Sequence, residues 1–142
     1  MVVVAAVLLG GCVRHPGLPP TGTSGYQAKV ELSADAAIST LATTRLGLDA
    51  EARDHTTARY LEVLVSDQED ALDAVVGSFG SITPPTPEAR RLREQFQPVL
   101  SEAQDHLVEV RIALDSGAPD EAVALRTDLD ADLAALEAFG SS

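Results

Sequence analysis

The chain has one cysteine, Cys12, no tryptophan, and only two tyrosines and three phenylalanines in 142 residues. A lone thiol permits no intramolecular disulfide and no multi-thiolate metal site, so the fold draws no stability from an oxidising compartment. So few aromatic faces leave no platform for stacking sugars or nucleobases. Bases are scarce too: 10 against 22 acids give a net charge of -12, which disfavours nucleic acid and, for the molecule as a whole, anionic lipid. A broad electrostatic partner would be cationic. Equally, the acids suffice to keep an Ala- and Leu-rich helical protein in solution. No Gly-rich phosphate loop, Gly-x-Ser-x-Gly elbow or His-Glu-x-x-His pair occurs, and Ser, His and Asp are scattered, so the chain reads as non-catalytic and without a cofactor.

Long hydrophobic stretches are also missing. The apolar run over residues 2–9 has eight residues, against the about 20 that a helix needs to cross roughly 30 Å of hydrocarbon. That length suits the core of a secretory signal peptide. The run leads into Leu9-Gly10-Gly11-Cys12, a small-residue pair followed by the only thiol of the chain. This motif resembles the lipobox of bacterial lipoproteins. The resemblance implies that Cys12 receives a diacylglyceryl thioether, that residues 1–11 are a signal peptide cut before it, and that the mature protein sits on the cell membrane, facing the extracytoplasmic side. Without the motif, the same run would read as a buried amino-terminal strand.

Residues 13–26 mix proline, glycine and small hydroxyl residues with no apolar period. With Cys12 they read as a flexible linker spanning on the order of 20 Å. His15 in that linker reads as solvated.

From residue 27 to 139 the pattern is helical, with breakers in three places and no convincing strand. The first segment, residues 27–53, carries a narrow stripe (Val30, Ala34, Ala37, Ile38, Leu41, Leu48, Ala52), and Thr40, Thr43, Thr44 and Gly47 lower its helix propensity. A break near Gly47 is one expectation there. Asp54, Thr56 and Thr57 offer cap chemistry for the second helix, residues 57–79, whose stripe runs Leu61, Leu64, Val65, Leu72, Val75, Val76 and Phe79. Gln68 falls inside that stripe and could set helix register, or sit beside a water; Glu69 falls on the opposite face. Thr86-Pro87-Glu88 is a helix start, and Ala89, Leu92, Phe96, Val99, Leu100, Ala103, Leu107, Val110 and Leu114 follow at core spacing. Pro98 inside this helix predicts a kink. Gly117 and Pro119 repeat the stop and start, and a fourth helix runs to about residue 139 through Ala122, Leu125, Leu129, Leu133 and Leu136, leaving residues 140–142 as a frayed tail. Short connections predict an all-α, up-down-up-down four-helix bundle, the alternative being three helices with a loose first segment.

Three polar groupings stand out. Glu102, His106 and Glu109 share one face of the third helix and could hold a divalent metal; Glu51 and His55 repeat the four-residue spacing, whereas carboxylate-bridged di-metal bundles use a Glu-x-x-His spacing of three. Glu121, Asp128 and Asp132 mark a flank of the last helix that reads as solvated, with no EF-hand loop. Arg90, Arg91 and Arg93 form the only dense basic cluster. In an up-down bundle they lie at the end nearest the linker, with Glu94 and Glu137 as intramolecular partners or anionic headgroups as external ones. The reading as a whole is an anchored, non-catalytic acidic bundle that contacts another envelope protein, or else binds a ligand or divalent metal.

Overall fold

The computed structural model describes residues 21–140, so the expected signal peptide, Cys12 and most of the expected linker lie outside the described residues. The protein is an all-helical bundle. Its elements are α1 (Gly22–Glu51), α2 (Ala58–Gly80), α3 (Pro87–Asp115), α4 (Pro119–Ala124) and α5 (Arg126–Glu137).

The helix α1 starts five residues earlier than its composition suggests. Tyr26, placed by sequence in the linker, is fully buried and tilts onto Phe79 of α2 with ring centroids 6.0 Å apart. Thr23, one turn earlier, shares a 2.8 Å hydrogen bond with Thr86. Burial of a Tyr side chain is worth more than the intrinsic cost of the Gly and Ser residues around it. The first segment is therefore not loose: Val30, Ala34, Ala37, Leu41 and Leu48 are all in the core.

Nor does α1 break at Gly47. A Cβ there would stand 2.5 Å from Leu64 Cδ2 and 3.0 Å from Leu61 Cδ1, so this glycine makes room for two leucine side chains of α2 against the α1 backbone. The nearby threonines fit the helix by bonding back: Thr40, Thr43 and Thr44 donate to the carbonyls of Ala36, Ser39 and Thr40. The helix ends in a reversal in which Asp54 has φ +57°, with His55 N–H donating to Ala50 (2.8 Å) and Asp54 N–H to Glu51 (2.9 Å). Asp54 thus closes α1 and does not cap α2; that cap is Thr57, which accepts from Tyr60 N–H at 3.3 Å.

The stripes of α2 and α3 bury as their spacing dictates. Leu61, Val65, Leu72 and Phe79 of α2 are in the core, and so are Ala89, Phe96, Leu100, Ala103, Leu107, Val110 and Leu114 of α3, whereas Leu64, Val75, Val76, Leu92 and Val99 flank it and are partly buried. Gln68 is half-buried and makes no side-chain hydrogen bond among the described residues, so it sets no register. Glu69 is not on an open face: its side chain is 17% exposed and pairs with Arg111 of α3. Thr86 caps α3 by accepting from Ala89 N–H at 3.1 Å, and the helix runs on through Pro98, which with Glu94 faces solvent, where water can satisfy the carbonyl that Pro98 leaves unpaired. Gly117, at φ +72°, closes α3 with a Schellman pair, Ala118 N–H to Ala113 and Gly117 N–H to Leu114, both 2.9 Å.

The fourth arm is two helices. At Leu125 the ladder loosens, its N–H shared between the Glu121 and Ala122 carbonyls at 3.3 Å each, and the Val123 carbonyl accepts from Arg126 Nε at 2.9 Å. Ala122, Leu129 and Leu136 still reach the core. At one end, a chain of rings joins the arms: Tyr26 on Phe79, Phe79 edge-on to Phe96 at 4.9 Å, and Phe96 on Phe139 at 5.1 Å.

Candidate functional site

The most buried polar contact between helices joins α3 to α5. His106 Nδ1 and Asp132 Oδ2 share a hydrogen bond of 2.8 Å, and the Asp132 side chain is only 6% exposed. The residue belongs to the α5 stripe with Leu129 and Leu136, not to the solvated flank that its charge suggests. Burial lowers the affinity of His106 for its proton, but the bond to Asp132 and the charges of Asp132, Asp128 and Glu109 outweigh this, and its pKa rises. On Asp132, burial outweighs the opposing pull of His106 and raises the carboxyl pKa as well.

Of the three residues read as a metal site, His106 is therefore committed through Nδ1 to a residue outside the triplet. Among the described residues no three His, Cys, Asp or Glu side chains come together as a metal-holding group. Carboxylate-bound imidazole is the outer half of many metal sites. Here that half stands without convergent inner ligands. His106 makes no hydrogen bond to a hydroxyl among the described residues.

A second network ties α1 to the α4–α5 break. Arg45 reaches Asp130 with Nε at 2.7 Å and Nη2 at 3.3 Å, and also pairs with Asp49 one turn along. Asp49 accepts in turn from Arg126 Nη1 at 2.8 Å. Two guanidinium groups hold the Asp49 carboxyl below its usual range, Arg126 contributing most. Arg126, which bonds the Val123 carbonyl, is thereby fixed on both sides. This arrangement reads as a staple. Sequence could not find it, because Arg45 and Asp130 are 85 positions apart.

The basic cluster divides. Arg93 donates to Gln97 Oε1, to the Ile82 carbonyl at 3.0 Å and to the Gly80 carbonyl at 3.2 Å, closing the end of α2. Arg90 and Arg91 are exposed and make no ion pair among the described residues. Neither Glu94 nor Glu137 takes any of the three. Beside Arg93 lies the buried Tyr26 hydroxyl, which has no hydrogen-bond partner among the described residues; burial raises its pKa, against a smaller opposing effect of Arg93.

No protein-family model, curated protein or solved structure matches this chain.

Proposed function

We propose that the chain is a lipoprotein held on the extracytoplasmic face of the cell membrane by a lipid on Cys12, with a non-catalytic acidic bundle that contacts another envelope protein or assembly. The observation that carries the anchor is Leu9-Gly10-Gly11-Cys12 behind an apolar run too short to span a bilayer. Among the described residues no helix is long and apolar enough to cross a membrane. The bundle itself is an up-down-up-down arrangement of four arms. Support comes from Tyr26, Phe79, Phe96 and Phe139, which unite the start of α1, the end of α2, the early part of α3 and the end of α5.

The contact role is supported by apolar side chains on the outer surface. Leu32 is 63% exposed beside a shallow groove lined by Ala36, Ala74 and Val75, between α1 and α2. Cys12→Ser should release the protein from membranes, and the mass of the wild-type mature chain should show a thioether lipid on Cys12; a mature chain without lipid overturns the anchor. A photo-crosslinker at Leu32 should give a discrete adduct on intact cells that one at Ser101, a polar exposed position, does not. Identical patterns at both positions would remove the groove as a contact surface.

A further inference from the structure

Nine of the ten basic residues lie in the described part of the chain, and most are engaged within the protein. Arg45, Arg59, Arg111 and Arg126 are in ion pairs, and Arg93 is spent on carbonyl groups. Lys29, Arg53, Arg90 and Arg91 form no ion pair or side-chain hydrogen bond among the described residues. In a protein with 22 acids, bases left without a carboxylate are worth locating. Arg53 follows the end of α1. The other three occupy the opposite end, in the early turns of α1 and α3.

That end is where the chain arrives from Cys12. The cap of α3, Thr86, is hydrogen-bonded to Thr23 in the first turn of α1, so the entering chain passes within a turn or so of Arg90 and Arg91. Because α1 begins at Gly22, only the segment from Cys12 to Thr21 separates a lipid from the bundle. Nine residue steps span about 17 Å as a random coil and about 30 Å at full stretch. Glu31, Glu88, Glu94 and Glu137 also lie toward this end, whereas Asp49, Glu51, Asp54, Asp115, Asp120 and Glu121 lie toward the other. An acidic body tethered above an anionic surface is repelled least when its unpaired bases face that surface.

We propose that Arg90 and Arg91, supported by Lys29, bind the phosphate groups of anionic lipids and hold the bundle end-on to the bilayer, with α4 and the α4–α5 break turned outward. This rests on the anchor reading, and the assignment narrows the basic cluster to two arginines because Arg93 is already committed. The contact needs the tether: at -12 overall, the domain has no affinity for anionic vesicles when released from its lipid.

The chain contains no tryptophan, so Gln95→Trp, at an exposed position of α3, supplies a single energy-transfer donor to dansyl-labelled lipid. The mature chain beginning at Cys12 is coupled through that cysteine to a maleimide lipid, which puts it on vesicles whether or not a cell lipidates it. Failure of natural lipidation, read separately by mass, is thus distinct from failure of the headgroup contact. Transfer should be greater on phosphatidylcholine vesicles containing phosphatidylglycerol than on phosphatidylcholine alone. The gain should vanish in Arg90→Gln/Arg91→Gln, persist in Arg90→Lys/Arg91→Lys and in Arg53→Gln, and vanish at high salt, where the screening length falls to about 3 Å at 1 M. Equal transfer on both vesicles, or a gain that survives the glutamine pair, overturns the proposal. If the glutamine pair loses its helical circular dichroism, the salt series on the unsubstituted arginines decides.

Discussion

Asp132 Oδ2 lies 2.8 Å from His106 Nδ1 across the α3–α5 interface, and the carboxylate is the more deeply buried partner, its side chain 6% exposed against 24% for the imidazole. A charge placed that deep is tolerated because the imidazole opposite can carry a proton.

The pair makes stability depend on pH in a definite direction. The folded pKa of His106 is raised, so its contribution is fully present below the unfolded value of about 6.5 and is lost as pH climbs through the folded value. Asp132, also raised, works in the same direction from lower pH upward, since its ionised form is disfavoured by burial. Urea unfolding should therefore give a lower midpoint at pH 8 than at pH 6, with a slope from this histidine of no more than about 1.4 kcal/mol per pH unit. In His106→Gln the difference between those two pH values should largely disappear.

Two glycines in helix interiors should respond oppositely. Gly77 has open space around the position of a Cβ, so Gly77→Ala should stabilise by roughly 0.5 to 1 kcal/mol. Gly47 is pressed against Leu61 and Leu64; Gly47→Ala should lose that gain, and Gly47→Val should destabilise by about 1 to 3 kcal/mol. Thermal melts of the three variants test how tightly α1 and α2 meet.

The two left-handed helix ends form a matched pair. Gly117→Ala forces a Cβ onto φ +72° and should destabilise by about 1 kcal/mol; Asp54→Gly relieves φ +57° and should stabilise by roughly 0.5 to 1 kcal/mol. Chemical denaturation resolves effects of this size.

Within α3, Leu107 is fully buried at the middle of the stripe, and Leu107→Ala should cost about 2 to 5 kcal/mol. The exposed Gln95→Ala on the same helix should shift stability by under about 0.5 kcal/mol. Comparable losses at both positions in a denaturant titration would show that the faces of α3 have been misassigned.

Much of this fold is legible in the sequence wherever an apolar period coincides with cap chemistry. Thr86-Pro87-Glu88 opens α3 and Gly117 closes it, and the α3 stripe buries at the expected spacing except at its edges, Leu92 and Val99, which are partly buried. Legibility fails where tertiary contact overrides composition. The residues before Tyr26 look like linker because their propensities are poor, yet a buried ring on Phe79 holds them in a helix. Gly47 looks like a breaker because a sequence does not reveal which neighbour needs the missing side chain. The candidate site is half visible in the sequence. His106 stands out there, but its spacing to Glu102 and Glu109 describes one helix, while the residue that binds it comes from another. Asp132 reads as a solvated acid because charge is a poor guide to burial once a partner is at hand.

The ring chain at one end of the bundle has an optical consequence. Four of the five aromatic side chains of this protein are Tyr26, Phe79, Phe96 and Phe139, and the fifth, Tyr60, is 60% exposed near the start of α2. Near-ultraviolet dichroism arises from rings held in asymmetric surroundings, so its signal reports mainly on the end where the chain enters, while the Arg45–Asp130 end contributes only the exposed ring of Tyr60. A chain that opens first at the Arg45–Asp130 end will lose far-ultraviolet helicity before most of its near-ultraviolet signal, and one that opens at the ring end will show the reverse order.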